Sequence, residues 1–187
     1  MQYRYPDGGV YLAESSVGVP PLVQLGVLMN SADRILRNDQ TDAELQLLLG
    51  PGTSLGGARP KASVVDQNGY LSIAKFPREF DEYSIETWEE IALRLAERAG
   101  IQVVDHQLQT VSGRAVLLVR RFDRVGAKRL PFLSAMTMIN GRDGVAGSYP
   151  EIVDALSRIG AHAKRDAHEL FRRVAFNVLI SNVDDHL

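Results

Sequence analysis

The sequence contains no cysteine. Disulfide staples and thiolate chemistry are therefore excluded, and a reducing compartment is the default expectation. It also lacks any apolar run of the roughly 18 residues that a membrane-spanning helix needs. Charge of one sign is scarce: a formal net charge of −2 over 187 residues gives no electrostatic reason to hold nucleic acid. The opening residues Met1-Gln2-Tyr3-Arg4-Tyr5-Pro6-Asp7 have neither the basic nor the apolar region of a signal peptide, so the expected location is cytoplasmic. No internal repeat or low-complexity tract is present. What remains is an ordinary globular composition, 45% hydrophobic and 24% charged. The length suffices for one domain or two small lobes.

The first 20 residues read as loop. A helix is expected from Pro21, with Leu22, Leu25 and Leu28 inward. Thr41-Asp42-Ala43-Glu44 has the form of a capping box, followed by Leu45, Leu47, Leu48 and Leu49 and ended by Gly50. Ala62 to Val65 and Tyr70 to Phe76 read as strands joined at Asn68-Gly69, a hairpin signature. The clearest helical period runs over 88–99, with Trp88, Ile91, Ala92, Leu95, Ala96 and Ala99 on one face. Thr87 with Glu90 is its expected cap and Gly100 its end. Strands are expected over Ile101 to Leu108 and Arg114 to Arg120, turning at Ser112-Gly113. After Pro131 the pattern becomes helical, over Ile152 to Ile159 and then His162 to Ser181, the last helix burying Leu170, Phe171, Val174, Ala175, Val178 and Leu179. The expected class is α+β, with a mixed α/β region over 1–124 and the start of a helical region over 125–187.

Four segments carry chemistry. Thr53-Ser54-Leu55-Gly56-Gly57-Ala58-Arg59-Pro60-Lys61 precedes the first strand of the hairpin. Its glycines would let backbone N–H groups approach a phosphate, with Arg59 or Lys61 adding charge. It fits neither the Walker nor the G-x-G-x-x-G pattern, and taken alone such a segment is more often a plain surface loop. Lys75 shares a strand face with Leu71 and Ile73, so it needs either a partner, which Glu89 could be, or a route to water. Val119-Arg120-Arg121-Phe122-Asp123-Arg124 closes the mixed region, as an adenine-facing strand end or as an exposed basic turn. Asp184-Asp185-His186 fits a catalytic loop, a metal site or a solvated helix end. The other histidines have no i, i+4 ligand spacing, and an acidic helix end is disfavoured by the helix dipole.

The order of these pieces resembles the HipA family of bacterial serine/threonine kinase toxins. The matching segments are SLGGARPK at 54–61, LSIAKF at 71–76, WEEIALRLAERAGI at 88–101, VRRFDR at 119–124 and NVLISNVDDH at 177–186. The resemblance implies a protein-kinase-like two-lobe fold and transfer of the ATP γ-phosphate to a protein hydroxyl, with Mg2+. It places Asp184 as the catalytic residue engaging the hydroxyl and His186 in the same loop. Gly56, Gly57, Ala58, Arg59, Pro60 and Lys61 would form the phosphate-side loop. Lys75, held by Glu89, would contact the phosphates, and Arg120, Arg121 and Phe122 would line the adenine side. Ser54 matches a regulatory autophosphorylation site. The implied partners are a helix-turn-helix antitoxin protein and a protein substrate such as an aminoacyl-tRNA synthetase, with no direct contact to nucleic acid or membrane.

The loop-ending Asn and the later metal-binding Asp of that family would fall beyond Leu187. The 187 residues alone are therefore expected to be a fragment, inactive or nearly so. Two other readings remain: a non-catalytic remnant that still binds an antitoxin, and a small-molecule kinase.

Overall fold

The computed structural model describes residues 21, 24–49, 59–66, 68–126, 128–142, 144–145 and 147–183. Its elements in chain order are α1 (Leu25–Leu36), α2 (Asp42–Leu49), β1 (Lys61–Val65), β2 (Leu71–Lys75), α3 (Ile85–Arg98), β3 (His106–Val111), β4 (Arg114–Arg120), the short β5 (Arg124–Val125) and β6 (Lys128–Arg129), α4 (Ala135–Met138), α5 (Tyr149–Ile159) and α6 (Ala163–Leu179). The chain is a mixture of α-helices and antiparallel sheet, the α+β class. It divides into two compact units, one of residues 1–93 and 104–128, the other of 94–103 and 129–187.

In the first unit β1, β2, β4 and β3 lie side by side in that order, each antiparallel to its neighbour. Both hairpins follow from turn chemistry. Asp66 accepts from the backbone N–H groups of Asn68 and Tyr70, each at 2.8 Å, and Gly69 supplies a φ of 78°. At the other turn both Ser112 (φ 49°) and Gly113 (φ 79°) are left-handed, as a tight two-residue hairpin requires. Ala62, Val64, Ala74, Val116 and Leu118 point to one face of the sheet. They pack with Leu25, Leu28, Met29 and Ala32 of α1, Leu48 of α2, and Phe76 just beyond β2. The Thr41 capping box forms: Glu44 Oε2 accepts from the Thr41 backbone N–H at 2.7 Å. Leu22, Gly50 and the side chains of Leu45, Leu47 and Leu49 lie outside the described residues.

Several expectations change, beginning with α1, which starts at Leu25 and not at the expected Pro21. The helix expected over 88–99 begins earlier, at Ile85, because Ser84 caps it by accepting from the Thr87 N–H at 3.3 Å; Thr87 is not the cap. Of its expected apolar stripe only Ala96 is buried and Ala92 half-buried. Trp88 is 60% exposed, and Ile91 and Leu95 are also exposed, whereas Glu86 and Glu90 are buried. The expected strand over 101–108 starts only at His106. Gly100 (φ 74°) ends α3 with its N–H on Glu97 O and the Ile101 N–H on Ala96 O, and 101–105 are not strand.

In the second unit α5 begins at Tyr149, ahead of the expected Ile152, because Ser148 and Glu151 form a reciprocal capping box. Helix α6 matches its expected span, but none of its residues is buried: Phe171, Val178 and Leu179 are exposed, and Leu170, Val174 and Ala175 are half-buried.

Candidate functional site

Glu86, Glu89 and Glu90 stand at i, i+3 and i+4 on α3, so one helical face carries three carboxylates. Each meets a cationic or imidazole side chain from a different part of the sheet. Glu86 Oε1 accepts from Arg59 Nη2 at 3.2 Å, just before β1. Glu89 accepts from Lys75 Nζ at the end of β2. Glu90 Oε2 lies 3.5 Å from Nε2 of His106 at the start of β3, whose Nδ1 donates to the Val104 carbonyl at 2.9 Å. The register places Lys75 and His106 on the face of the sheet opposite α1. Helix α3 is not among the elements whose backbones pack closely on the sheet; long polar side chains bridge the gap.

Lys61 sits directly across from Lys75 on β1. Like charges so placed repel. Burial pushes the Lys61 ammonium down from its ordinary value, repulsion from Lys75 lowers it further, and Glu89 opposes both. The three side chains make a half-buried patch of two ammonium groups around one carboxylate. Such a patch can bind an anion, since a bound anion would relieve the repulsion.

Arg59 is held differently. Its Nη1 donates to Asp81 Oδ1 at 3.1 Å, and its Nη2 reaches both Asp81 Oδ2 and Glu86. Asp81 chiefly raises the Arg59 guanidinium above its usual range, and Arg59 in turn holds the Asp81 carboxyl below its own. The strand-end arginines are also engaged. Arg120 donates to Asp105 at 2.8 Å and lies 3.5 Å from the centre of the Tyr70 ring. Its register opposite Ser72 puts it on the sheet face away from Lys75, so those two are not brought together. Arg121 grips Asp123 with two bonds of 2.8 Å, which lowers the Asp123 carboxyl and raises the guanidinium. Arg124 closes on the same buried carboxylate, while Phe122 is exposed.

Pro60 accepts the Phe76 N–H through its carbonyl at 3.0 Å and anchors the start of β1. Ser54, Gly56, Gly57, Ala58, Asp184 and His186 lie outside the described residues. Among the described residues no group of three or more His, Asp or Glu is placed to hold a metal ion, and no helix is long and apolar enough to cross a membrane. Sequence reasoning missed Asp81, Glu86 and Glu90. For Glu86 and Glu90 a signal was available in Glu86-x-x-Glu89-Glu90, a helical spacing of carboxylates; Asp81, in an irregular segment, offered none.

A family profile described as HipA-like C-terminal domain matches residues 53–187. The chain belongs to the HipA-like C-terminal domain family. No curated protein matches it. The HipA-like match spans the whole patch around Lys75, the Arg59 contacts and the Arg121–Asp123–Arg124 cluster. Membership brings a kinase-related, toxin–antitoxin context to the HipA-like chain and points to a toxin–antitoxin partner in general.

Proposed function

We propose that this HipA-like chain carries the nucleotide-binding part of a serine/threonine protein kinase toxin with a kinase-like two-lobe fold. The observation that supports this reading best is the Lys75–Glu89 ion pair beside Lys61. Glu89 fixes the lysine in one position, and the two ammonium groups suit a polyphosphate, whose negative charge offsets their mutual repulsion. ATP supplies the phosphoryl group; Lys61 and Lys75 would hold and orient its phosphates. Gly56, Gly57 and Ala58 would add backbone N–H groups, and Arg121 and Phe122 would stand at the adenine end with Arg120 behind them.

Asp184 is proposed as the residue that engages the acceptor hydroxyl, with His186 in the same loop. Mg2+ belongs to this chemistry, and its ligands would come from outside the described residues, which hold no carboxylate cluster for it. Phosphate on Ser54 would add about −1.5 to −2 charges near Lys61 and compete with the nucleotide, giving self-inhibition. A helix-turn-helix antitoxin and a protein substrate such as an aminoacyl-tRNA synthetase are the partners this reading implies.

The test is thermal unfolding with and without MgATP. Wild-type protein should be stabilised by about 2.7 kcal/mol at a hundredfold excess over Kd. Lys75→Met should keep its nucleotide-free Tm within a few degrees and lose most of that gain. An equal gain in wild type and variant would refute the assignment of Lys75. Side-by-side phosphorylation of a protein hydroxyl and a sugar hydroxyl then separates a protein kinase from a small-molecule kinase.

A further inference from the structure

Arg59 stands at the end of the glycine-bearing segment, where a phosphate ligand would be expected, yet its guanidinium is occupied by two carboxylates. Asp81 takes both Nη groups and Glu86 takes a share of Nη2. A phosphate approaching Arg59 would have to compete with two carboxylates already paired to it. Asp81 is itself fixed, accepting from the Arg78 backbone N–H at 2.8 Å. Glu86 is 2% exposed and sits in the first turn of α3, one turn before Glu89. Its second oxygen has no hydrogen-bond partner among the described residues, so Arg59 carries the compensation of that buried charge. The large apolar residues Trp88, Ile91 and Leu95 of α3 are exposed, so they add little to its hold on the sheet.

We infer that Arg59 is a positioning residue, not a phosphate ligand. Through Asp81 and Glu86 it clamps the start of β1 to the first turn of α3, and that clamp sets Glu89 opposite Lys75. The end of the glycine-bearing segment and the helix therefore move together. Anything that displaces Arg59 also loosens the hold of Glu89 on Lys75. This extends the nucleotide reading above and rests on it for its consequence, though not for the clamp itself.

The two roles of Arg59 predict opposite signs at Glu86. A phosphate-binding Arg59 would be freed by Glu86→Gln, and ATP would bind the same or tighter. A clamping Arg59 would lose its anchor, and ATP would bind weaker although a negative charge has been removed. The experiment uses the full 187-residue chain and two readouts: amide exchange over residues 85–89 without nucleotide, and ATP affinity by calorimetry. Arg59→Ala and Glu86→Gln should each speed exchange in that turn and weaken ATP by roughly tenfold. Arg59→Lys should behave like Arg59→Ala, because one ammonium cannot span both carboxylates as the guanidinium fork does. The exchanged pair Arg59→Glu with Glu86→Arg should recover part of the loss.

Unchanged exchange in Arg59→Ala overturns the clamp. So does Glu86→Gln binding ATP as well as or better than wild type. If wild-type protein binds no ATP, the nucleotide reading fails by itself, and faster exchange in Arg59→Ala still supports the clamp.

Discussion

The buried carboxylate of Asp123 pairs with two arginine side chains. Arg121 approaches it with Nε and Nη2, and Arg124 with Nη1. Two guanidiniums around one nearly buried carboxylate are secure only while the carboxylate is there. Asp123→Ala should leave both cations partly desolvated and uncompensated, at a cost of about 2–3 kcal/mol, read as a lower urea midpoint with an unchanged slope. Lys75 and Glu89 differ, since about a third of each side chain still meets water. An ion pair that wet adds little to stability. Lys75→Met should therefore be almost silent in urea and, on the proposed nucleotide role, visible only with nucleotide, whereas Asp123→Ala should show in urea alone. The sequence named the Lys75–Glu89 pair in advance because both residues sit at positions with few alternatives: a strand end and the first turns of the next helix. It could not name Arg59–Asp81–Glu86, because Asp81 lies in an irregular segment whose path no periodicity describes.

Helices α1 and α3 dock by different forces. Helix α1 presents Leu25, Leu28, Met29 and Ala32 to the sheet and is held by apolar burial. Helix α3 presents glutamates and leaves its tryptophan outside. Leu28→Ala should cost about 3 kcal/mol, because Leu28 is fully buried and its loss leaves a cavity. Trp88→Ala should cost less than about 0.5 kcal/mol in the same urea titration, despite removing the larger side chain. The period-3.6 pattern located α3 correctly as a helix. It placed Trp88, Ile91 and Leu95 inward where the structure leaves them exposed, since hydrophobic spacing reports that a stripe exists and not what covers it. In α6 the expected stripe is split: Phe171, Val178 and Leu179 are exposed, and Leu170, Val174 and Ala175 are half-buried.

Across the whole molecule the carboxyls of Glu44, Glu79, Asp81, Asp123 and Glu151 are all held below their ordinary range by hydrogen bonds from arginines or helix caps. The unfolded chain would take up protons on these groups near pH 4, while the folded chain resists until lower pH. Over that interval the unfolded state binds more protons, so stability falls as pH falls. It should be constant from about pH 7 to 5 and then drop progressively, a trend that urea midpoints measured across that range would reveal. By itself the sequence determined the α+β class, both hairpins with their turns, most helix spans and the family, because turn residues, caps and periodicity act over a few neighbouring positions. Only the tertiary structure decided which face of α3 meets the sheet, that Arg59 is taken by Asp81 and Glu86, and that Arg120 turns away from Lys75. Those outcomes depend on strand register and on charges brought together from distant parts of the chain, and a buried charge takes whichever partner the fold delivers within hydrogen-bond reach.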